Sequence, residues 1–215
     1  MGMILKKEGQ TDAAVDLIKK ALSDRKESLG LYIFLSSLYD EKNQYEESEK
    51  ALKQGLAIAP KNIDLHYSLG VLYEKTDRFI ESIHEMETVL EYDEDNAEAL
   101  NFIGYTYADR GIHLEKAEQF IKKAIELKPG NAYMIDSLGW LYFKQNKTDL
   151  AIKYLKDAFK ALPNDPTIAD HLGDAYIKAG MIREAIEIFR QALHLLPNNP
   201  PLKKKFDELL KKEIP

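Results

Sequence analysis

The segment Leu138-Gly139-Trp140-Leu141-Tyr142 decides the fold, because its pattern occurs in register three more times. Leu69-Gly70-Val71-Leu72-Tyr73, Ile103-Gly104-Tyr105-Thr106-Tyr107 and Leu172-Gly173-Asp174-Ala175-Tyr176 share the bulky apolar residue, the glycine and the tyrosine three places later. With Tyr39 added, the tyrosines Tyr39, Tyr73, Tyr107, Tyr142 and Tyr176 are spaced by 34, 34, 35 and 34 residues. A small residue follows each tyrosine by nine or ten places, namely Ser48, Ser82, Ala117, Ala151 and Ala185, and Pro60, Pro129, Pro163 and Pro197 close four of the units. A period of this length is the signature of stacked supersecondary units that bury their apolar faces against one another.

Within a unit the apolar spacing is helical, as in Ala132 to Lys144 and Asp149 to Ala161, with Asn146 in the turn between them. Glycine inside a helix costs about 1 kcal/mol relative to alanine, so its recurrence implies close helix packing that offsets the loss. The small residue of the second helix meets that glycine face, the tyrosine fills the space between helices, and the proline prevents the second helix from continuing.

Together these positions resemble the tetratricopeptide repeat, a helix–turn–helix unit of ~34 residues. The resemblance covers almost the whole chain. It implies an all-α fold: a right-handed superhelical solenoid of antiparallel helix pairs with a C-terminal capping helix. The complete units read as 29–62, 63–96, 97–131, 132–165 and 166–199, with an extra residue near Gly111 to Leu114 placed in a turn. Residues 1–28 read as a truncated unit, Gly9 marking its turn and Ala14 its small position, and we expect the natural protein to continue upstream; a short natural start is the competing reading. Residues 200–215 form the cap, with Leu202, Phe206, Leu209 and Leu210 on one stripe and five lysines on the remainder. Ser36 in place of glycine, Gly55 in place of alanine and Glu94 in place of proline depart from the pattern and put local packing in question. The runs Asn101 to Gly111 and Asp136 to Trp140 are similar to those of bacterial members, some of them exported to the envelope; cytoplasm and periplasm both remain open.

Composition narrows the function. With 30 basic and 36 acidic side chains the net charge is −6, which argues against a nucleic-acid surface. The first hundred residues carry 12 basic and 21 acidic groups (12 − 21 = −9), a balance that suits a basic partner, the alternative reading for any single charge being a solvated helix surface. No cysteine is present, which excludes disulfides, thiolate metal sites and thiol nucleophiles. No apolar run approaches the ~18 residues of a membrane span. Phosphate-loop, dinucleotide, metalloprotease and hydrolase motifs are absent, and the five histidines occupy five different places in the repeat, as surface or packing groups rather than ligands. The acidic loop Tyr92 to Asn96 lacks the glycine and distant glutamate of a calcium loop. We expect no catalytic residues, no cofactor and no metal.

The family resemblance implies that first helices line a concave groove, which places Phe34, Tyr67, Phe102, Tyr105, Tyr133, Trp140 and Phe143 there together with Asn101, Asp136, Asp170 and Asp174. Aromatic side chains are common interface anchors, although in such arrays they also pack between helices. The lysine, asparagine and arginine set with which some members clamp a terminal carboxylate is missing, Asn101 alone not sufficing. The expected activity is therefore a protein-binding scaffold whose partner presents apolar or aromatic anchors flanked by Lys or Arg. A structural array meeting another copy of itself, and an accessory region of a larger protein such as a transferase, are the alternative readings.

Overall fold

The computed structural model describes residues 1–213, and among them every regular element is a helix. The chain divides into two compact units, Met1–Ala99 and Leu100 onward. The first contains α1 (Gly2–Lys7), α2 (Thr11–Asp24), α3 (Leu29–Glu41), α4 (Tyr45–Ile58), α5 (Ile63–Lys75) and α6 (Phe79–Tyr92), and the first turn of α7 (Ala97–Arg110). The second contains the rest of α7, then α8 (Leu114–Leu127), α9 (Ala132–Lys144), α10 (Thr148–Ala161), α11 (Pro166–Lys178), α12 (Ile182–Leu195) and α13 (Pro200–Glu213). Consecutive helices pack as pairs: α3 on α4, α5 on α6, α9 on α10 and α11 on α12.

The turn inside each pair is set by one residue with left-handed backbone: Gly9, Asn43, Asp77, Gly111, Asn146 and Gly180, with φ between 55° and 74°. Glycine enters that region without steric cost, and asparagine and aspartate tolerate it. The geometry closes a Schellman-type bond onto the repeat tyrosine, whose carbonyl accepts from the residue five places on. Gln44 N–H donates to Tyr39 O at 2.9 Å, and Arg78, Ile112, Lys147 and Met181 do the same to Tyr73, Tyr107, Tyr142 and Tyr176. The extra residue of the α7–α8 turn is absorbed by a second left-handed position, His113 at φ 48°. At the junction between pairs, side chains cap the incoming helix: Asn62, Asn96, Asn131, Asp165 and Asn199 each accept from the first free N–H groups at 2.9 to 3.3 Å.

Inside each pair the helices meet at the glycine. A Cβ on Gly139 would lie 2.6 Å from Leu155 Cγ and 3.0 Å from the Leu155 backbone nitrogen; one on Gly173 would lie 2.2 Å from the Phe189 ring. The facing Ala117, Ala151 and Ala185 are wholly buried. Where Ser36 replaces the glycine, its hydroxyl bonds Ser48 Oγ at 2.7 Å, so the polar atom buried by the substitution is satisfied. Gly55, at an alanine position, leaves room for Leu65, whose methyls would lie 2.9 Å from an added Cβ.

A second link joins successive pairs. Glu49 of α4 accepts from Tyr73 Oη at 3.0 Å, Lys53 at 2.6 Å and Arg78 at 2.5 Å. Glu118 of α8 is held the same way by Tyr142 at 3.1 Å and Lys122 at 2.7 Å. Burial works against the charge on Glu49, but the bonds from Lys53, Arg78 and Tyr73 outweigh it and bring its pKa down to about 2.

Gly139→Ala lowers stability by about 1–3 kcal/mol through overpacking, whereas Gly30→Ala, where an added Cβ meets nothing within 4 Å, raises it by about 0.5 kcal/mol; urea midpoints read both. Because the folded pKa of Glu49 is depressed, its stabilisation is full above the unfolded value near 4.5 and fades as pH falls toward 2. Glu49→Gln is therefore less stable by about 1 kcal/mol at neutral pH, allowing for solvent screening, and the difference from the parent shrinks across that acid window in pH-dependent urea unfolding.

Candidate functional site

On the first unit, α3 and α5 present a pocket of about 250 Å³ lined by Ile33, Ser37, Tyr67, Ser68 and Val71, with Asp40 and Lys75 beside them. These helices place residues three, four and seven apart on one face, which brings Tyr67, Ser68 and Val71 together. Val71 is 41% exposed, whereas Tyr67 is half-buried and its phenol is pushed up by burial and by the nearby Glu98 carboxylate. Lys75 donates to Asp40 at 2.8 Å, leaving the other Asp40 oxygen buried without a hydrogen bond. Lys6 reaches Glu41 at 3.0 Å and Ser37 at 3.3 Å and lies over the ring of Phe34, which is itself half-buried against α1. Asp40 and Lys75, which pair, are the charged side chains lining this pocket, and Glu98 lies near enough to act on Tyr67.

On the second unit the corresponding helices build an aromatic column. Phe143 stacks on Trp140 at 4.7 Å and Trp140 on His171 at 4.1 Å, the planes within 14° of parallel in both contacts. The ring nitrogen Nδ1 of His171 bonds the Asp136 carboxylate at 2.9 Å, and both residues are buried. Trp140 Nε1 donates to Asp109 at 3.0 Å, and Lys144 binds the same residue through its carboxylate and its carbonyl. Burial pushes the Asp109 carboxyl up, and the bonds from Trp140 and Lys144 more than reverse it. Lys178 lies 4.4 Å over Phe143 and bonds its carbonyl.

The residues expected in the groove thus meet different surroundings. Tyr133 is open, at 56% exposure, while Phe34, Tyr67, Phe102, Tyr105 and Phe143 are half-buried. Trp140 is 9% exposed and packed between two rings. Asn101 is half-buried with Oδ1 unbonded. Asp170 and Asp174 are both engaged by Lys205 of α13, at 2.6 and 2.8 Å, so the cap helix supplies their counter-charge. Burial disfavours the Lys205 charge, and the two carboxylates overcome that and raise its pKa.

Sequence reading missed the pairing of Asp40 with Lys75 and Asp109 with Lys144, and the closure of Asp136 on His171. All three pairs are 35 residues apart, as is Lys178 from the Phe143 carbonyl. One repeat, or one repeat plus one residue, is the offset at which a side chain of one first helix meets the next, and a scan at a separation of 35 finds them.

Comparison with known proteins agrees with this architecture. Two family models, each described as the tetratricopeptide repeat, match: one at residues 5–72 and 142–205, the other at 67–132. A TPR repeat-containing protein of Pseudomonas aeruginosa is 31% identical over 145 residues, which is 67% of this chain and 25% of the relative, and it fits a bacterial origin. The chain thus spans about a quarter of that relative. Among solved structures, a tetratricopeptide repeat protein from Parabacteroides merdae aligns with TM-score 0.74 at 17% identity, over 90% of this chain and 76% of its own. PilW, described as a type IV pilus biogenesis factor, aligns with TM-score 0.75 at 19% identity, over 87% of this chain and 88% of its own. YrrB, described as a TPR protein with an unusual peptide-binding site, aligns with TM-score 0.57 at 17% identity, over 87% and 96%. Identities this low speak to the fold alone. With the family models covering the repeats on which the fold is built, this chain belongs to the tetratricopeptide repeat family.

Proposed function

We propose that the protein is an interaction scaffold that holds a partner segment against its first-helix faces. The pocket between α3 and α5 carries the reading: an apolar floor of Ile33, Tyr67 and Val71 open to solvent, with the paired Asp40 and Lys75 at its edge. An apolar side chain entering it removes Val71 from water and contributes at about 25 cal/mol per Å² of apolar surface buried. Glu98, whose charge acts on Tyr67, and the balance of 21 acidic to 12 basic groups in the first hundred residues favour Lys or Arg on either side of that anchor. On the second unit, Tyr133 offers a further exposed ring, and Asn101, Phe102 and Tyr105 are the half-buried groups we assign to the same role. Trp140, Phe143 and Asp136 serve as the rigid support of that face, and Asp170 and Asp174 reach a partner only in competition with Lys205. The peptide-binding site named for YrrB is consistent with such use of the fold.

Selection from a displayed random-peptide library against the whole protein tests the reading. It should enrich segments with one aromatic or large aliphatic anchor flanked by basic residues. Val71→Arg, which blocks the pocket and repels the flanks, should weaken a selected peptide at least about tenfold, or ~1.4 kcal/mol. Peptides of no common pattern, or equal affinity for Val71→Arg, would sink the assignment.

A further inference from the structure

Tyr73 and Tyr142 each share a carboxylate with a lysine: Glu49 with Lys53, and Glu118 with Lys122. The acid stands 24 residues before the tyrosine and the lysine 20 before it. Tyr39 keeps the lysine, Lys19, which lies 5.5 Å over its ring, but the acid position is Val15. The Lys19 pKa is raised, chiefly by its hydrogen bond with Tyr39; burial opposes this, and Asp16 and Glu47 add to it. A cation and a phenol therefore stand together without the carboxylate that Tyr73 and Tyr142 bind; before Tyr176 the same two places hold Lys156 and Ile152.

Beside them α2, α3 and α4 enclose a cleft of about 380 Å³ with Leu22, Leu35 and Ala51 among its walls and Lys19, Lys26 and Lys50 on its rim, Glu47 being the acid that lines it. One repeat later the equivalent space is furnished from within. Glu85 stands at the place of Ala51 and meets His66, at the place of Tyr32, at 2.6 Å; Pro60 stands at the place of Lys26. Three lysines to one glutamate is also the reverse of the surrounding balance, since the first hundred residues carry 12 basic and 21 acidic groups. The cleft uses Leu35 and Tyr39 of α3, whereas the pocket described above uses Ile33 and Ser37, on another side of that helix.

We propose that the α2–α3–α4 cleft docks an acidic peptide segment. Its carboxylate takes the place beside Lys19 and Tyr39 that Glu49 and Glu118 occupy in later repeats, and a neighbouring apolar side chain rests on Leu22, Leu35 and Ala51. This site is separate from the groove and of opposite charge preference.

The test is amide chemical-shift mapping on the whole protein with a blocked Leu-Glu-Glu-Leu-Glu-Glu peptide, and with citrate at equal carboxylate concentration. Saturable shifts should centre on Lys19, Lys26 and Ala51. Affinity should fall at least about tenfold in Lys19→Met/Lys26→Met, and likewise in Val15→Glu, where an internal carboxylate competes. If Val15→Glu does not fold, the exposed double lysine variant decides alone. Val71→Arg should bind the acidic peptide as the parent does, which keeps the outcome independent of the groove. Shifts centred on α3 and α5 at Ile33 and Val71, undiminished affinity of the double variant, or citrate binding as tightly as the peptide would each overturn the proposal.

Discussion

Everything in this molecule depends on how closely the two helices of a pair approach. At Gly70, Gly139 and Gly173 the partner helix occupies the volume where a side chain would begin, and the facing serine or alanine is fully buried. That contact fixes the axis separation within the pair. The separation in turn sets where the tyrosine three residues on must lie, and the tyrosine carbonyl ends the helix by accepting the bond that closes the turn. Local and tertiary preferences agree at each step, which is the consistency that lets a sequence specify one structure.

The pairing of helices was legible because it depends on residue types at fixed spacing. Glycine, tyrosine and proline each leave a mark that survives changes in their neighbours. Turn residues were less visible, since glycine, asparagine and aspartate all serve at the left-handed position and no single letter repeats. The candidate site was legible only as a set of helix faces. Trp140 illustrates why: its position on α9 follows from the period, but its burial follows from His171 and Phe143 arriving on either side of its ring. Asp170 and Asp174 illustrate the same point for charge, because the lysine that meets them comes from α13, which lies outside the repeat pattern.

Polar groups on the first-helix faces are largely engaged with one another. Lys6 with Glu41, Asp40 with Lys75 and Asp109 with Lys144 convert scattered charges into short internal contacts, and the buried Asp136 bonds His171. Exposed pairs of this kind add little stability individually. Their effect on recognition is larger, since a partner must compete with an existing contact at each of them, while Val71 and Tyr133 present apolar surface that water alone now covers.

The offset of 35 residues also limits how this array can change by gain or loss of whole repeats. A helix pair carries one half of a contact whose other half belongs to the next pair. If α9 and α10 were duplicated or excised, Asp136 or His171 would lose its counterpart and remain buried, a cost larger than that of a broken surface contact. Repeats that look interchangeable by pattern are therefore ordered by their neighbours. Lineages that lengthen or shorten the array should do so where such half-contacts are exposed, as with Asp40 and Lys75, rather than between α9 and α11.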